Sequence, residues 1–331
     1  MPSPLGVRIA GSGSAIPPRV LDNNWFISRL DTSDAWIRER TGIVERHVVS
    51  DGESTATLAS DAARRALENA GMSAGELDAI IVASITGECP FPATANFVQE
   101  AIGARTIAAF DLCAACSGFI YAFVTATHLL QSGAYRNIMV IGAETLTRIT
   151  DYADRTSCIL FGDAAGAVIL KPTADTAGPA MLHHRLHSDG SGASILWVPA
   201  GGSRLPASHM SVNERLHYMK MQGREVYRFA VKKMLELVED TLAEAGVRSD
   251  QLAMVIPHQS NKRIIDSARE KLGIPEVKMY TNIERLGNTS AASIALGIDE
   301  CRRDGRIKPG DLVLLAAFGA GLSWASALIR L

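Results

Sequence analysis

The sequence has almost no excess of charge of either sign. Among its 331 residues, 33 Lys and Arg are balanced by 35 Asp and Glu, which leaves a formal net charge of −2. No global electrostatic field therefore draws the chain to nucleic acid or to acidic lipid. The chain also lacks any apolar run near the roughly 18 residues that a membrane-spanning helix requires. Met1 to Ile16 contain Arg8 and several glycines in place of a signal-peptide core. These absences predict a cytoplasmic protein with no nucleic-acid or membrane partner.

Cysteine is scarce, and its spacing argues against a metal site. The cysteines form an odd, scattered set without the paired spacing of zinc ligands, and they are Cys89, Cys113, Cys116, Cys158 and Cys301. A dinucleotide fingerprint is also missing. The segment from Gly11 lacks its third glycine, and Pro17 prevents the helix that would bind pyrophosphate. The sequence thus predicts free thiols, one of them reactive, with no metal and no nicotinamide cofactor.

What the sequence does contain is an α/β pattern. Apolar runs at Ala79 to Ala83, Ile138 to Gly142 and Leu312 to Ala316 are typical of buried strands. They alternate with amphipathic segments in which apolar residues recur at three- and four-residue steps, as after Gly223 and from Ala59 to Ala70. This alternation predicts helices packed against buried sheets.

The chain resembles itself, which predicts two similar halves. ALENAGMSAGELDAIIV from Ala66 parallels TLAEAGVRSDQLAMVIP from Thr241, and a second pair of segments matches in the same order. The Pro-, Gly- and Ala-rich stretch from Lys171 to Ala180 is the natural joint. We therefore expect an N-terminal half at residues 1–172 and a C-terminal half at residues 173–331.

One cysteine lies where a nucleophile is expected. In AFDLCAACSGFIYAF, a short apolar strand leads through small residues into a periodic helix, and Cys116 stands at the corner. The positive end of a helix favours a thiolate by about 0.3 to 2 kcal/mol. Most cysteines are instead buried core residues, and we expect Cys113 to be one of these.

Two further motifs offer polar side chains after apolar segments. VIPHQSN delivers His258 from the end of a strand into a loop, and ERLGNTSAASIALGI places Asn288 beside a small-residue helix start. Each motif alone is modest, because most loop histidines are structural and most Gly-Asn pairs are turns.

Together these motifs resemble the β-ketoacyl-acyl carrier protein synthase III family, in which AACSGF, PHQSN and GNTSAAS occur in this order. The likeness covers nearly the whole chain, including TSDAWIRERTGI from Thr32, DRTSCILFGDAAGAVIL from Asp154 and the closing FGAGLSWASALIRL. It implies the duplicated, five-layered αβαβα thiolase fold, normally as a homodimer. It also implies a condensing acyltransferase of fatty acid synthesis, whose N-terminal half carries the nucleophilic Cys and whose C-terminal half carries the His and Asn.

The resemblance implies a reaction in two steps. Cys116 takes an acyl group from acyl-CoA, and the backbone N–H groups of Cys116 and Ala320 form the oxyanion hole. His258 and Asn288 then hold the enolate formed when malonyl-acyl carrier protein loses carbon dioxide. The run Gly319-Ala320-Gly321 departs from the usual three glycines, which puts only the allowed backbone angles in doubt.

The resemblance also assigns substrate contacts, with coenzyme A thioester as substrate and no separate cofactor. Phe91 would close the acyl pocket of the partner subunit, and Lys262 and Arg263 would dock the acidic carrier protein. The implied coenzyme A contacts are Thr32, Trp36, Arg40, Arg155, Gly223, Tyr227 and Asn261. The acyl primer is not specified by the sequence.

Three other functions stay open at this point. One is a related priming ketosynthase of polyketide or secondary metabolism, because chalcone-synthase-like enzymes share Cys, His and Asn. Another is a non-catalytic thiolase-fold partner. The third is a redox protein, since Cys113 and Cys116 have CxxC spacing.

Overall fold

A computed structural model describes residues 6–173, 178 and 180–331. Its strands are β1 (Gly6–Ala15), β2 (Arg19–Asp22), β3 (Glu45–Val48), β4 (Ala79–Ala83), β5 (Ala108–Leu112), β6 (Ile138–Thr145), β7 (Asp163–Thr173), β8 (Ala180–Ser188), β9 (Leu196–Trp197), β10 (Lys220–Met221), β11 (Met254–Pro257), β12 (Leu312–Gly319) and β13 (Ser323–Arg330). Its α-helices are α1 (Asn23–Ile27), α2 (Asp34–Thr41), α3 (Thr55–Ala70), α4 (Thr94–Ala101), α5 (Gly118–Gln131), α6 (His209–Asn213), α7 (Gly223–Ala245), α8 (Lys262–Lys271), α9 (Ile283–Leu286) and α10 (Ala292–Arg303). The three strands expected from apolar runs are confirmed as β4, β6 and β12, and the two expected helices as α3 and α7.

Two mixed sheets repeat one strand order. The first runs β1-β7-β6-β4-β5, and the second runs β8-β13-β12-β11. In each sheet the second strand is antiparallel to both of its neighbours, and the fourth strand pairs with the third in parallel. The counterpart of β5 is reduced to a single parallel bridge between Val255 and Met279. The division at residues 172 and 173 stays a prediction, since part of the proposed joint lies outside the described residues.

The sheets and helices form five layers, which confirms the expected αβαβα fold. α3 and α4 cover the outer face of the first sheet, whereas α7 and α8 cover the outer face of the second. α5 and α10 lie between the sheets. One core cluster passes through this central layer and joins side chains of both sheets, among them Ile81, Phe119, Ile294 and Leu315. The two halves therefore share one hydrophobic core.

Glycines let the helices approach the first sheet closely. A Cβ at Gly11 or Gly13 would collide with the backbone of α3, so the segment that begins like a dinucleotide fingerprint is a packing surface. A Cβ at Gly142 would collide with the backbone at Ala291, immediately before α10. A Cβ at Gly118 would lie 3.3 Å from the Ala83 side chain. These contacts fix the starts of α5 and α10 against the sheet.

Candidate active site

The three residues expected to be catalytic line one cavity. Cys116, His258 and Asn288 all contribute to its wall, and its volume is about 510 Å³. Cys116 comes from the turn before α5, His258 follows β11, and Asn288 precedes α10. The starts of the two central helices and the end of a second-sheet strand therefore meet at this cavity. Such a concave, mainly apolar site with a few convergent polar groups is typical of an active site.

Cys116 is presented by a tight turn. It lies in a 3-10 turn at Ala115–Ser117, and Ala115 before it has a left-handed φ of 47°. This conformation costs an alanine about 1 to 2 kcal/mol, so the surrounding packing must maintain it. A Cβ on Gly319 would lie 2.7 Å from the Cys116 nitrogen. Glycine at this position is what allows β12 to pass directly behind the nucleophile.

The resting charge of Cys116 differs from the sequence-based expectation. Burial raises the pKa of its thiol to about 12, and the nearby Glu144 carboxylate adds to the increase. A hydrogen bond from Ser290 acts in the opposite direction and does not compensate. The helix end was expected to favour a thiolate; in the structure, burial of the sulfur acts in the opposite direction and is the largest cause of the raised pKa. The raised pKa therefore corresponds to a neutral thiol at neutral pH.

His258 is a neutral imidazole with one nitrogen occupied. Its Nδ1 lies 2.9 Å from Ser293 Oγ, and its ring meets the Phe318 ring edge-on with 5.7 Å between centroids. Burial lowers its pKa to about 3. Because Ser293 occupies Nδ1, Nε2 is the nitrogen available to a substrate in the cavity. The neutral ring carries one N–H hydrogen.

Asn288 is held so that its amide group can donate. Its Oδ1 accepts a hydrogen bond of 2.9 Å from the Ser290 N–H. Its backbone N–H donates to Leu160 O at 2.8 Å, and its backbone oxygen accepts from Gly162 N–H at 3.0 Å. Since Oδ1 is occupied and the residue lines the cavity, the Nδ2 donor is available to a ligand.

A buried glutamate behind the nucleophile was missed by the sequence analysis. Glu144 is fully buried at the end of β6, and Ser290 Oγ lies 3.1 Å from its Oε1 and 3.4 Å from Cys116 Sγ. Thr86 Oγ1 donates to Oε2 at 2.5 Å. Burial raises the pKa of Glu144 to about 7. No motif could have revealed it, because its position behind Cys116 depends on the pairing of β4 with β6 and on the Ser290 turn.

We expect Glu144→Gln to change how stability depends on pH. The carboxyl pKa is raised from 4.5 to about 7 in the folded state, so wild-type stability should fall as pH rises through this window. Glutamine does not titrate. The unfolding free energy of the variant relative to wild type should therefore increase by about 2 to 3 kcal/mol between pH 5 and pH 8. Urea unfolding at several pH values measures this difference, and a pH-independent difference would contradict the raised pKa.

Ala320, expected to supply one N–H of the oxyanion hole, lies in the cavity wall. It lines the cavity together with Cys116 and Gly319. Ser323 lies between this loop and the nucleophile turn: its Oγ is 3.1 Å from Ala114 O and 3.0 Å from Ala320 O, and its single hydrogen can be donated to either oxygen. The two backbone N–H groups assigned to the oxyanion hole therefore belong to segments that are joined by hydrogen bonds.

The expected coenzyme A contacts divide into two groups. Trp36, Arg40, Gly223, Tyr227 and Asn261 line the cavity. The Arg40 guanidinium lies 6.0 Å from the centroid of the Trp36 ring. The amide of Asn261 is already occupied, because it donates to Arg40 O at 3.0 Å and accepts from Arg263 N–H at 2.9 Å.

The second group lies outside the cavity wall. Thr32 and Arg155 are absent from the wall, although Thr156 contributes to it. Arg155 donates to the backbone oxygen of Asp31 at 3.1 Å and pairs with its carboxylate at 3.3 Å. Arg155 is therefore held by Asp31, the residue that precedes Thr32 in the chain, and not by the three central side chains.

The remaining expected site residues are on the surface. Phe91 is 84% exposed and does not line the cavity of its own chain. Lys262 pairs with Asp266 at 3.1 Å, and Arg263 lies 5.8 Å from the ring centroid of Tyr227. Cys113 is also exposed, so the expectation of a buried core cysteine was wrong: it follows β5, the edge strand of its sheet, none of whose residues is fully buried.

An apolar wall next to Cys116 also escaped the sequence analysis. Leu146, Phe161 and Met219 form a buried cluster whose members all line the cavity, with Ile149 and Leu160 packed against it. These residues come from three separated segments and carry no motif. The described part of the chain contains no group of three His, Cys, Asp or Glu placed to hold a metal ion. None of its helices is long and apolar enough to cross a membrane.

Comparisons with known proteins give one consistent family. The family described as 3-oxoacyl-[acyl-carrier-protein (ACP)] synthase III matches residues 110–190, and its C-terminal counterpart matches residues 242–331. A beta-ketoacyl-[acyl-carrier-protein] synthase III from Caldanaerobacter subterraneus subsp. tengcongensis is 46% identical over 326 residues, which is 98% of each chain.

Solved structures agree with this family. The 3-oxoacyl-[acyl-carrier-protein] synthase III of Aquifex aeolicus has a TM-score of 0.90 and 41% identity, covering 98% of this chain and 100% of that one. The priming beta-ketosynthase from the R1128 polyketide biosynthetic pathway has a TM-score of 0.90 and 34% identity, covering 100% of this chain and 98% of that one.

Proposed function

The chain belongs to the 3-oxoacyl-[acyl-carrier-protein] synthase III family and is a condensing enzyme, and from this membership we propose that it joins the acyl group of an acyl-CoA to a malonyl unit on acyl carrier protein. The product is a β-ketoacyl-acyl carrier protein, which starts fatty acid synthesis. The observation that carries the proposal is the convergence of Cys116, His258 and Asn288 on one cavity.

In the first step, Cys116 accepts the acyl group. Its sulfur attacks the thioester carbon, a new S–C bond forms and the bond to the coenzyme A sulfur breaks. The thiol proton leaves with the coenzyme A sulfur, so this step needs no stored thiolate. The N–H groups of Cys116 and Ala320 support the oxyanion, and an acyl-cysteine thioester remains activated for the next step.

In the second step, malonyl-acyl carrier protein loses carbon dioxide. The electron pair of the broken C–C bond forms an enolate, whose oxygen receives hydrogen bonds from His258 Nε2 and Asn288 Nδ2. The enolate carbon attacks the acyl group, the bond to Cys116 sulfur breaks, and the cysteine regains a proton from water. Neither donor needs a metal ion for this task.

Coenzyme A enters along the Trp36 side of the cavity in this proposal. The indole of Trp36 and the guanidinium of Arg155 stack on the adenine, while Arg40 adds positive charge near the phosphates. Gly223, Tyr227 and Asn261 line the pantetheine path, with Thr32 assigned to its outer end beyond the cavity wall. Support comes from the cavity wall, which includes five of these seven residues.

We also infer a homodimer. β5 is the last strand of its sheet, and Phe110 on this strand is partly exposed. Ile85 is partly exposed as well, yet it lines the cavity. A second copy that covers this edge would bring Phe91 of the partner subunit towards the acyl pocket. Arg263, near the ring of Tyr227, and Lys262, whose partner Asp266 is also at the surface, would meet an acidic carrier protein.

The relatives favour this function over the alternatives. The synthase III relative is 46% identical, whereas the polyketide priming ketosynthase is 34% identical. A non-catalytic role does not fit the presence of all three polar side chains in one cavity. A cytoplasmic location belongs to the same proposal, because the soluble substrates of fatty acid synthesis are made there.

The test is a two-substrate assay with a panel of acyl-CoAs. We expect intact mass spectrometry to detect a covalent acyl adduct, and malonyl-acyl carrier protein to convert it into β-ketoacyl-acyl carrier protein with release of carbon dioxide. Malonyl-CoA serves as the competing acceptor. No acyl adduct with any primer, or an adduct that malonyl-acyl carrier protein leaves unchanged, would contradict the proposed function.

A further inference from the structure

His258 can perform only one hydrogen-bonding task at each nitrogen. A neutral imidazole donates from one nitrogen and accepts at the other, so the partner of Nδ1 decides which group Nε2 presents to the cavity. The proposed condensation requires a donor at Nε2. A hydrogen-bond donor must therefore lie next to Nδ1. Among the described residues, Ser293 is the one within hydrogen-bonding distance of that atom.

The Ser293 hydroxyl has two acceptors within reach for its single hydrogen. One is His258 Nδ1 at 2.9 Å, and the other is the backbone oxygen of Ser290 at 2.8 Å. The Ser290 oxygen also receives the backbone N–H of Ser293 at 3.2 Å. It therefore keeps a donor when the hydroxyl turns away, so no buried acceptor is left unsatisfied by a bond from Ser293 to the ring.

Ser293 is placed for this task by the same turn that orients Asn288. The Ser290 N–H donates to Asn288 Oδ1 at 2.9 Å. Three residues further along the chain, Ser293 Oγ lies next to His258 Nδ1. Ser293 is fully buried, so water does not compete for the ring nitrogen. Ser290 has a left-handed φ of 47°, which a serine adopts only where the surrounding structure requires it.

We propose that Ser293 donates its hydroxyl hydrogen to His258 Nδ1 and so fixes the ring hydrogen on Nε2, which makes Ser293 a positioning residue for decarboxylation. The inference rests on the proposed function, since it explains how His258 becomes a donor to the enolate. One turn, residues 288–293, then orients both donors: it occupies Asn288 Oδ1 and His258 Nδ1, and leaves Nδ2 and Nε2 for the substrate.

The direct test is nitrogen-15 NMR of histidine-labelled wild-type protein, with the His258 signals assigned by their loss in His258→Ala. We expect the chemical shifts of an unprotonated Nδ1 and a protonated Nε2. The opposite pattern would overturn the proposal while leaving acyl loading and condensation by the wild-type enzyme unaffected. This measurement separates a wrong tautomer from a wrong enzyme function.

The kinetic test compares Ser293→Ala with Thr127→Val. Both remove a buried hydroxyl, but that of Thr127 lies on α5 outside the cavity wall, where it donates to Phe123 O at 2.9 Å. We expect Ser293→Ala to lower malonyl decarboxylation by about 10- to 100-fold, the range found when a metal-binding histidine loses the partner that orients it, and to change acyl loading by less than threefold. Thr127→Val should change neither step by more than threefold. Equal loss of both steps in Ser293→Ala, or unchanged decarboxylation, would overturn the role of Ser293.

Discussion

Cys116→Ala should abolish uptake of the acyl group from every acyl-CoA primer. In the proposed reaction Cys116 is the nucleophile, and no other group of the cavity wall takes that role. Without a nucleophile the covalent thioester cannot form. Removing a nucleophile typically lowers turnover by several orders of magnitude, on the order of 10⁶ in a serine protease. Intact mass spectrometry after incubation with acyl-CoA measures the adduct directly. We expect none above background.

Cys113→Ala is the matched control for this experiment. Cys113 lies three residues earlier, but it is exposed and does not line the cavity. Its removal should leave acyl uptake within about twofold of wild type, because surface substitutions away from a site change little. Comparison of the Cys116→Ala and Cys113→Ala variants also tests the alternative that the protein is a redox protein. Uptake that depends equally on both cysteines would indicate CxxC chemistry and would contradict a single acyl-carrying thiol.

His258→Ala and Asn288→Ala should separate the two steps of the reaction. Each removes one of two donors to the enolate oxygen, and loss of one such donor elsewhere costs about 10² to 10³ in rate. Loading uses the backbone N–H groups of Cys116 and Ala320, so both variants should still take up label from acyl-CoA. For each variant we compare two rates: release of labelled carbon dioxide from malonyl-acyl carrier protein, and uptake of the acyl group from acyl-CoA.

Asn288→Asp sharpens the same prediction. The carboxylate keeps the shape of the amide but cannot donate a hydrogen bond when ionised, and its charge repels the enolate. It should therefore decarboxylate malonyl-acyl carrier protein no faster than Asn288→Ala. Equal loss of loading in the His258 and Asn288 variants would mean that these residues serve the acyl transfer itself, against the roles proposed here.

Short apolar patterns in the sequence predicted those strands and helices whose burial imposes a period on neighbouring residues. The all-apolar runs of β4 and β12 identified buried strands, and the alanine stripe of α3 identified its packing face, because burial on a sheet or helix face imposes its own period on the sequence. The motifs around Cys116, His258 and Asn288 could be recognised for the same reason: each is a short segment at the end of one element.

The sequence could not reveal properties that arise from distant segments coming together. Glu144 lies 28 residues after Cys116 in the chain, yet it reaches the nucleophile through Ser290, whose position depends on the second half. The raised pKa of Cys116 has the same origin, because burial of the sulfur depends on tertiary packing and the helix-end argument considered only its neighbours. Cys113 was misjudged because β5 is the edge strand of its sheet and none of its residues is fully buried.

A pulse-chase experiment on the wild-type enzyme tests the central claim most directly. The enzyme is loaded with labelled acyl-CoA and freed of excess substrate. One sample is then digested directly, and a second is digested after addition of malonyl-acyl carrier protein. Mass spectrometry identifies the labelled peptide in each sample. We expect the label on the peptide that contains Cys116, and its complete transfer to β-ketoacyl-acyl carrier protein in the chase. Label on another residue, or label on Cys116 that the chase does not remove, would contradict a single thioester served by Cys116, His258 and Asn288.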